Sequence, residues 1–246
     1  MISIECVYPD WSAPDNIKAF TTTRISGHSQ GDYAGLNLAS HVKDNQLDVE
    51  KNRQLLIDQL ALPEQPLWLD QVHGVDAVNV ATVSQPVVAD AAYCDQKNKI
   101  CAVLTADCLP VLICNRQGTK VAAVHAGWRG LLAGVIENTI DAMQEPANNI
   151  LIWLGPAIGP QAFEVGQEVK DAFVNDILET ERAFRANRPG HYLADIYQIA
   201  KIRLNKTGIV SVSGGDYCTY TDNEHFYSYR REANTGRMAS LIWMED

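Results

Sequence analysis

The chain has no CxxC pair and no HxH pair, and its six cysteines (6, 94, 101, 108, 114 and 218) are spread over 246 residues. That pattern is neither a dense disulfide framework nor a zinc ribbon. Most of these cysteines are expected to pack as small apolar residues. Positive charge is in deficit: 20 Lys and Arg stand against 30 Asp and Glu, a formal charge of −10. Such a balance argues against nonspecific binding to nucleic acid or to an anionic membrane surface. No apolar run is long enough to cross a bilayer, and the opening MISIECVYPDWSAP lacks a basic region followed by an apolar segment. A cytoplasmic protein without a membrane partner is the expectation. HxE followed by PCxxC, the mark of zinc nucleobase deaminases, is missing. So are a GxGxxG turn after a strand, the GxxxxGK phosphate loop and HExxH.

What remains is an ordinary globular composition, 46% apolar and 20% charged, with no repeat or low-complexity segment. No composition break marks a linker, so residues 1–246 read as one domain. The stretch from Ile100 to Gly130 organises the rest. It holds three short apolar runs, Cys101–Leu104, Val111–Cys114 and Val121–Val124, which read as buried strands. Asp107 and Cys108 follow the first run, and His125 follows the third. The spacing of Leu131, Leu132, Val135, Ile136, Ile140 and Met143 then predicts an amphipathic helix.

Elsewhere, residues 17–24 read as a strand ending on Arg24, and residues 48–60 as a helix capped by Asp48. Residues 67–74 read as a strand that delivers Gln71 and His73 into a turn, and residues 75–80 as its continuation. Further strands are expected at 150–154 and 209–213, and helices at 167–178 and 191–205, with Gly208 closing the latter. A last strand pair is expected from 226–231 and 237–244. Strands and helices mix without strict alternation, which suggests an α+β fold with mixed or antiparallel sheets.

His73, Cys108 and His125 each follow an apolar run and sit among small or turn-forming residues. Two imidazoles and a thiolate suit zinc with a vacant fourth position. Their separations of 35 and 17 residues form no local metal motif. From the pattern alone, packing of each side chain is the favoured reading. A third reading makes Cys108 a nucleophile with His125 as its base, an amidase-type arrangement that leaves His73 unused.

Five stretches carry a resemblance: LDQVHG at 69–74, TADCLPVL at 105–112, VAAVHAGWRG at 121–130, LGPAIGP at 154–160 and YSYRR at 227–231. Together they are similar to the motifs of the YfiH family, described both as laccase-domain polyphenol oxidases and as purine nucleoside phosphorylases. The resemblance runs from about Thr22 to Met244. It implies a single α+β domain with mixed sheets packed between helices, and a zinc ion held by His73, Cys108 and His125. The implied activities are phosphorolysis of adenosine, inosine and methylthioadenosine, together with adenosine deamination. Editing of peptidoglycan precursors is a further role attributed to some members. One departure stands out, since Ser26 occupies a position where the family usually has glycine.

On this reading the partners are a purine nucleoside and phosphate. Arg129 and the turn at 127–130 would hold phosphate, with Arg24 or Arg230 adding a bidentate clamp. Arg231 reads as a surface ion pair. Zinc would activate water for deamination, and Asp107 would relay a proton or orient His125. Asn37 and Gln71 are amides that read a base or ribose edge, or simply cap loops. One copper ion would fit the same ligands, but a laccase needs several coppers and many histidines, and this chain has six.

Overall fold

The computed structural model describes residues 3–246. In chain order the elements are β1 (Cys6–Val7), β2 (Ile17–Thr22), α1 (Gln46–Gln59), β3 (Ala77–Asn79), β4 (Ala91–Cys94), β5 (Cys101–Thr105), β6 (Leu109–Asn115) and β7 (Val121–Ala126). Then follow α2 (Trp128–Ala133), α3 (Val135–Met143), β8 (Ile150–Leu154), β9 (Glu164–Gly166), α4 (Gln167–Asp176), β10 (Phe184–Arg188) and β11 (His191–Ala194). The chain closes with α5 (Ile196–Lys206), β12 (Val212–Gly214) and β13 (Met238–Met244). No helix among the described residues is long and apolar enough to cross a membrane.

Two sheets form the centre. One has the order β1-β2-β13-β5, and the other β12-β8-β6-β7-β4-β3. The six-stranded sheet is mixed, because β12 runs parallel to β8 and β3 parallel to β4 while its other pairs are antiparallel. The three apolar runs of the organising stretch are β5, β6 and β7, but they do not share a sheet. Only Ala106, Asp107 and Cys108 separate β5 in one sheet from β6 in the other.

Period-two alternation sorts the side chains into layers. On β6, Val111 and Ile113 face the helices while Leu112 and Cys114 face the four-stranded sheet. On β7, Ala122 and Val124 face the helices while Val121 and Ala123 face the other sheet. His125 continues that second row. The inter-sheet core joins these residues to Cys101, Val103 and Ile242. Helices α2 to α5 cover the outer face of the six-stranded sheet through Leu131, Ile136, Phe173 and Ile199. Helix α1 covers the four-stranded sheet through Leu56.

Several boundaries differ from the sequence reading. The helix expected from 48 begins at Gln46, because Asn45 caps it by accepting the Leu47 N–H. The amphipathic run after Gly130 is two helices, since Gly134 at φ +94° takes a left-handed turn between α2 and α3. Residues 67–74 form no strand; their one bridge, Asp70 to Val88, is isolated from the sheets, and Gln71 ties the segment to Leu104 of β5. Residues 191–194 are strand β11 rather than helix, and α5 starts after Asp195, which caps it. The expected terminal pair has one strand, because residues 226–228 are irregular, residues 229–231 form a turn, and β13 pairs with β2 and β5. Gly208 does close α5: it sits at φ +85°, and the Ile209 N–H reaches back to the Leu204 carbonyl.

Candidate metal centre and active site

His73, Cys108 and His125 meet at one end of the inter-sheet space, with their ligand atoms all within 4.8 Å of one another. Each arrives from a different local cause. His125 is the penultimate residue of β7 and is buried. Cys108 ends the crossing between the sheets, where Asp107 at φ +88° makes the turn. His73 sits in a loop at φ +61°, which a non-glycine residue adopts only when its surroundings hold it. The Cys108 Sγ lies 3.7 Å from the His73 Nε2. The two imidazole rings stand edge to face with centroids 4.8 Å apart.

The loop is held by Asp90, a fully buried carboxylate just before β4. It accepts the backbone N–H groups of Val72 (3.2 Å), His73 (2.9 Å) and Gly74 (2.6 Å). The same carboxylate lies 2.8 Å from the His125 Nδ1. One side chain thus fixes the backbone of one imidazole and the ring of another. Burial pushes the Asp90 pKa up, but the His125 contact and the loop N–H groups outweigh it and hold the group below its ordinary value. With Nδ1 occupied, His125 presents Nε2 to the site. Gly127 completes the packing, because a Cβ there would lie 2.7 Å from the His73 ring and 3.1 Å from the Cys108 sulfur.

Without a metal the centre is a thiolate facing an imidazolium. Burial opposes ionisation of Cys108, yet the facing His125 and His73 pull its pKa down to about 6. Burial likewise opposes charge on His125, while the Cys108 thiolate and Asp90 raise it to about 9. The thiolate is the form of Cys108 that binds a metal, whereas the His125 proton would have to leave before its Nε2 could.

The donors form one wall of a cavity of about 470 Å³. Its rim and floor include Trp128, Phe163, Tyr229, Arg129, Arg230 and Arg237. A second groove of about 570 Å³, flanked by Arg53, Trp68 and Lys99, lies elsewhere and contains none of the three donors.

Of the other residues singled out by sequence, Asp107, Gln71, Arg129 and Arg230 line the cavity, while Arg24 and Asn37 do not. Asp107 is a structural tie: its carboxylate accepts the Thr219 hydroxyl and the Arg230 backbone N–H, each at 2.6 Å. It does not orient His125, a position that Asp90 takes. Gln71 spends its amide on both backbone groups of Leu104. Arg129 stacks on Trp128 at 4.3 Å, and Arg230 donates to the carbonyls of Ala162 and Glu164. Helix α2 is only six residues long, so the turn at 127–130 is a weaker anion site than an extended helix would provide.

Arg24 lies over the Tyr227 ring at 4.7 Å and donates to the carbonyls of Ala34 and Asn223. Arg231 is not a surface ion pair; it staples the carbonyls of Thr219, Tyr220 and Phe226. Ser26, at the family's glycine position, keeps a left-handed φ of +73° and donates its hydroxyl to the Ser3 carbonyl.

Sequence reasoning missed Asp90, His41 and Arg237. A carboxylate inside the apolar run Val87–Ala92 was the available signal for Asp90, since such a group is buried only when its oxygens are satisfied. Nothing local marked the other two. The segment Gly27-His28-Ser29-Gln30-Gly31 also has the GxSxG form, but it is no nucleophile elbow. Ser29 is buried, donates to Asp44 and accepts from Asn52.

Residues 18–245 match the family model described as multi-copper polyphenol oxidoreductase laccase. The chain is 51% identical over 241 residues to the purine nucleoside phosphorylase YfiH of Escherichia coli, covering 97% of this chain and 98% of the relative. It is 46% identical over 244 residues to a purine nucleoside phosphorylase of Haemophilus influenzae, covering 98% and 100%. A solved Neisseria meningitidis structure superposes with a TM-score of 0.94 at 48% identity, covering 98% of this chain and 99% of that one. YlmD from Geobacillus stearothermophilus superposes at 0.88 with 29% identity, and both chains are covered completely. The laccase-like domain match, these relatives and the shared fold together show that the chain belongs to the YfiH family.

Proposed function

We propose that the protein is a zinc-dependent purine nucleoside phosphorylase acting on adenosine, inosine and methylthioadenosine, with adenosine deamination as a second activity of the same centre. The observation that carries this reading is the His73–Cys108–His125 set opening into a cavity lined by arginines and aromatic rings. The donor chemistry fits zinc, which takes imidazole nitrogen and thiolate sulfur at ~2.0–2.3 Å in tetrahedral sites and keeps a position open when catalytic. Asp90 supplies the carboxylate that such a histidine ligand usually has behind it. Zinc bound there would act as a Lewis acid facing the cavity.

The chain's own groups do the rest. Phe163, Tyr229 and Trp128 offer flat apolar surface to a purine. Arg129, Arg230 and Arg237 give the cavity positive charge for an oxyanion co-substrate. In phosphorolysis a phosphate oxygen bonds to the anomeric carbon as the bond to the purine nitrogen breaks. The electron pair leaves with the purine, and the proton of monohydrogen phosphate ends there. Asp107 serves by holding the Arg230 and Thr219 segments against the cavity.

The Cys108–His125 pair backed by Asp90 also supports a second reading, a Cys–His amidase acting on cell-wall precursors. Amide cleavage that survives chelation would favour it. The polyphenol oxidase reading has less support. The described residues contain one three-donor group, and a laccase needs several coppers.

The test follows inosine by chromatography in phosphate and in phosphate-free buffer, with wild type and Cys108→Ala. The reading expects hypoxanthine release only with phosphate, lost in the variant. Stoichiometric zinc in a wild type that releases no base would refute it.

A further inference from the structure

The chemistry proposed for the site gives Arg237 only a share of the cavity's positive charge and leaves His41 without a task, although both line the cavity. Arg237 is partly buried, and its Nη1 donates to the carbonyls of Thr235 (2.8 Å) and Gly236 (2.9 Å). Its cation lies 5.9 Å from the Tyr229 ring centroid. It forms no ion pair among the described residues, whereas the buried Arg203 is held by both Glu137 and Asp176. A guanidinium drawn out of water without a carboxylate is costly. Burial accordingly lowers its pKa, against the opposing charges of Cys108, Asp107, Tyr229 and Tyr33.

His41 donates and accepts no hydrogen bond among the described residues. Burial, then Arg237, push its pKa down; Asp70 opposes them, while Arg53 and His125 add to the lowering. Two basic groups therefore share one cavity, and Asp70, which faces His41, is not part of its lining. Asp107, the carboxylate lining that cavity, is already spent on Thr219 and the Arg230 N–H.

The buried Asn37 amide ties the segments that carry this pair together. Its Oδ1 accepts the N–H of Ala39 at 3.1 Å and that of Arg237 at 3.0 Å. Its Nδ2 donates to Asp44 at 2.8 Å. Gln46 and Arg53 hold the carbonyls of Ser40 and Leu38, each at 2.9 Å, so the backbone beside His41 is fixed before any ligand arrives.

We propose that Arg237 and His41 form the anion subsite that binds the inorganic phosphate consumed in nucleoside cleavage. This deepens the phosphorylase reading and rests on it. Arg129 and Arg230 are more exposed than Arg237, so their attraction for the same anion is more strongly screened.

Calorimetric titration of the zinc-loaded protein with inorganic phosphate tests the assignment, using wild type, Arg237→Gln, His41→Gln and Arg188→Gln. Arg188 pairs with Glu164 on the surface and serves as the control. One phosphate per wild-type chain is expected, with affinity down at least ~10-fold in Arg237→Gln and several-fold in His41→Gln. Arg188→Gln should bind as wild type does. In turnover, KM for phosphate should rise while KM for inosine stays within about twofold. Unchanged phosphate affinity in both variants, or no phosphate binding by the wild type, overturns the subsite. His41 is exposed, so His41→Gln decides alone if Arg237→Gln fails to fold. Phosphate binding that needs this pair, in a protein that cleaves no nucleoside, supports the subsite while defeating the phosphorylase reading.

Discussion

At the level of single residues, the Asp90 carboxylate governs the centre because its two oxygens serve two ligands at once. It fixes the left-handed His73 loop through three N–H groups and sets the His125 tautomer through Nδ1. Asp90→Asn keeps the shape but offers an amide nitrogen where an acceptor is needed. Zinc affinity, measured by competition with a chromophoric chelator, should fall ~10–100-fold. Wild-type affinity in that variant would mean that the loop and the ring are held by other contacts. The three residues of the centre stood out in sequence because each follows an apolar run, but it was the family resemblance that joined them into one metal set. Asp90 did not stand out, because its importance comes from hydrogen bonds to residues 16 to 18 positions away and to a histidine 35 positions away.

At the level of elements, long-range ties decide what periodicity leaves open. Arg203 on α5 joins α3 through Glu137 and α4 through Asp176. Arg203→Met strands both carboxylates and should cost ~1–3 kcal/mol, read as a lower denaturant midpoint with unchanged slope. An unchanged midpoint would show that apolar packing alone holds these helices.

Asp222 similarly anchors His225, whose backbone carbonyl accepts the Arg24 N–H. The hydrogen bond to Asp222 raises the His225 pKa above 6.5, aided by the charges of Asp222, Glu5 and Glu224 against slight burial. A raised folded-state pKa stabilises fully below the unfolded value and is lost as pH climbs through the folded one. His225→Gln should therefore lower Tm more at pH 5.5 than at pH 9. An equal loss at both would remove the ion-pair account. The strands β5 to β8 were visible as apolar runs, and α4 was expected as a helix over 167–178. The split at Gly134 and the strand β11 were not, since a tertiary turn and a neighbouring strand override the local pattern there.

At the level of the whole molecule, the site exists because the chain changes sheets. Three residues carry it from β5 to β6, and Cys108 emerges at the open end of the inter-sheet core beside the end of β7. The α+β class and mixed pairing followed from strand and helix patterns that mix along the chain without strict alternation. The two-sheet stack did not, because consecutive strands β5 and β6 look like neighbours in sequence yet pair with different partners. Arg24 and Asn37 were read as site residues for the same reason: they stand near turns, but the fold spends them on carbonyls, amides and a tyrosine ring outside the cavity.

The central claim is that one zinc ion on His73, Cys108 and His125 supports phosphate-dependent cleavage of nucleosides. The most direct measurement titrates zinc into metal-stripped protein and follows hypoxanthine release from inosine on the same samples. The account predicts a rate rising linearly to one zinc per chain, requiring phosphate, and absent throughout in Cys108→Ala. Base release that is independent of zinc occupancy, or that proceeds equally without phosphate, would contradict it.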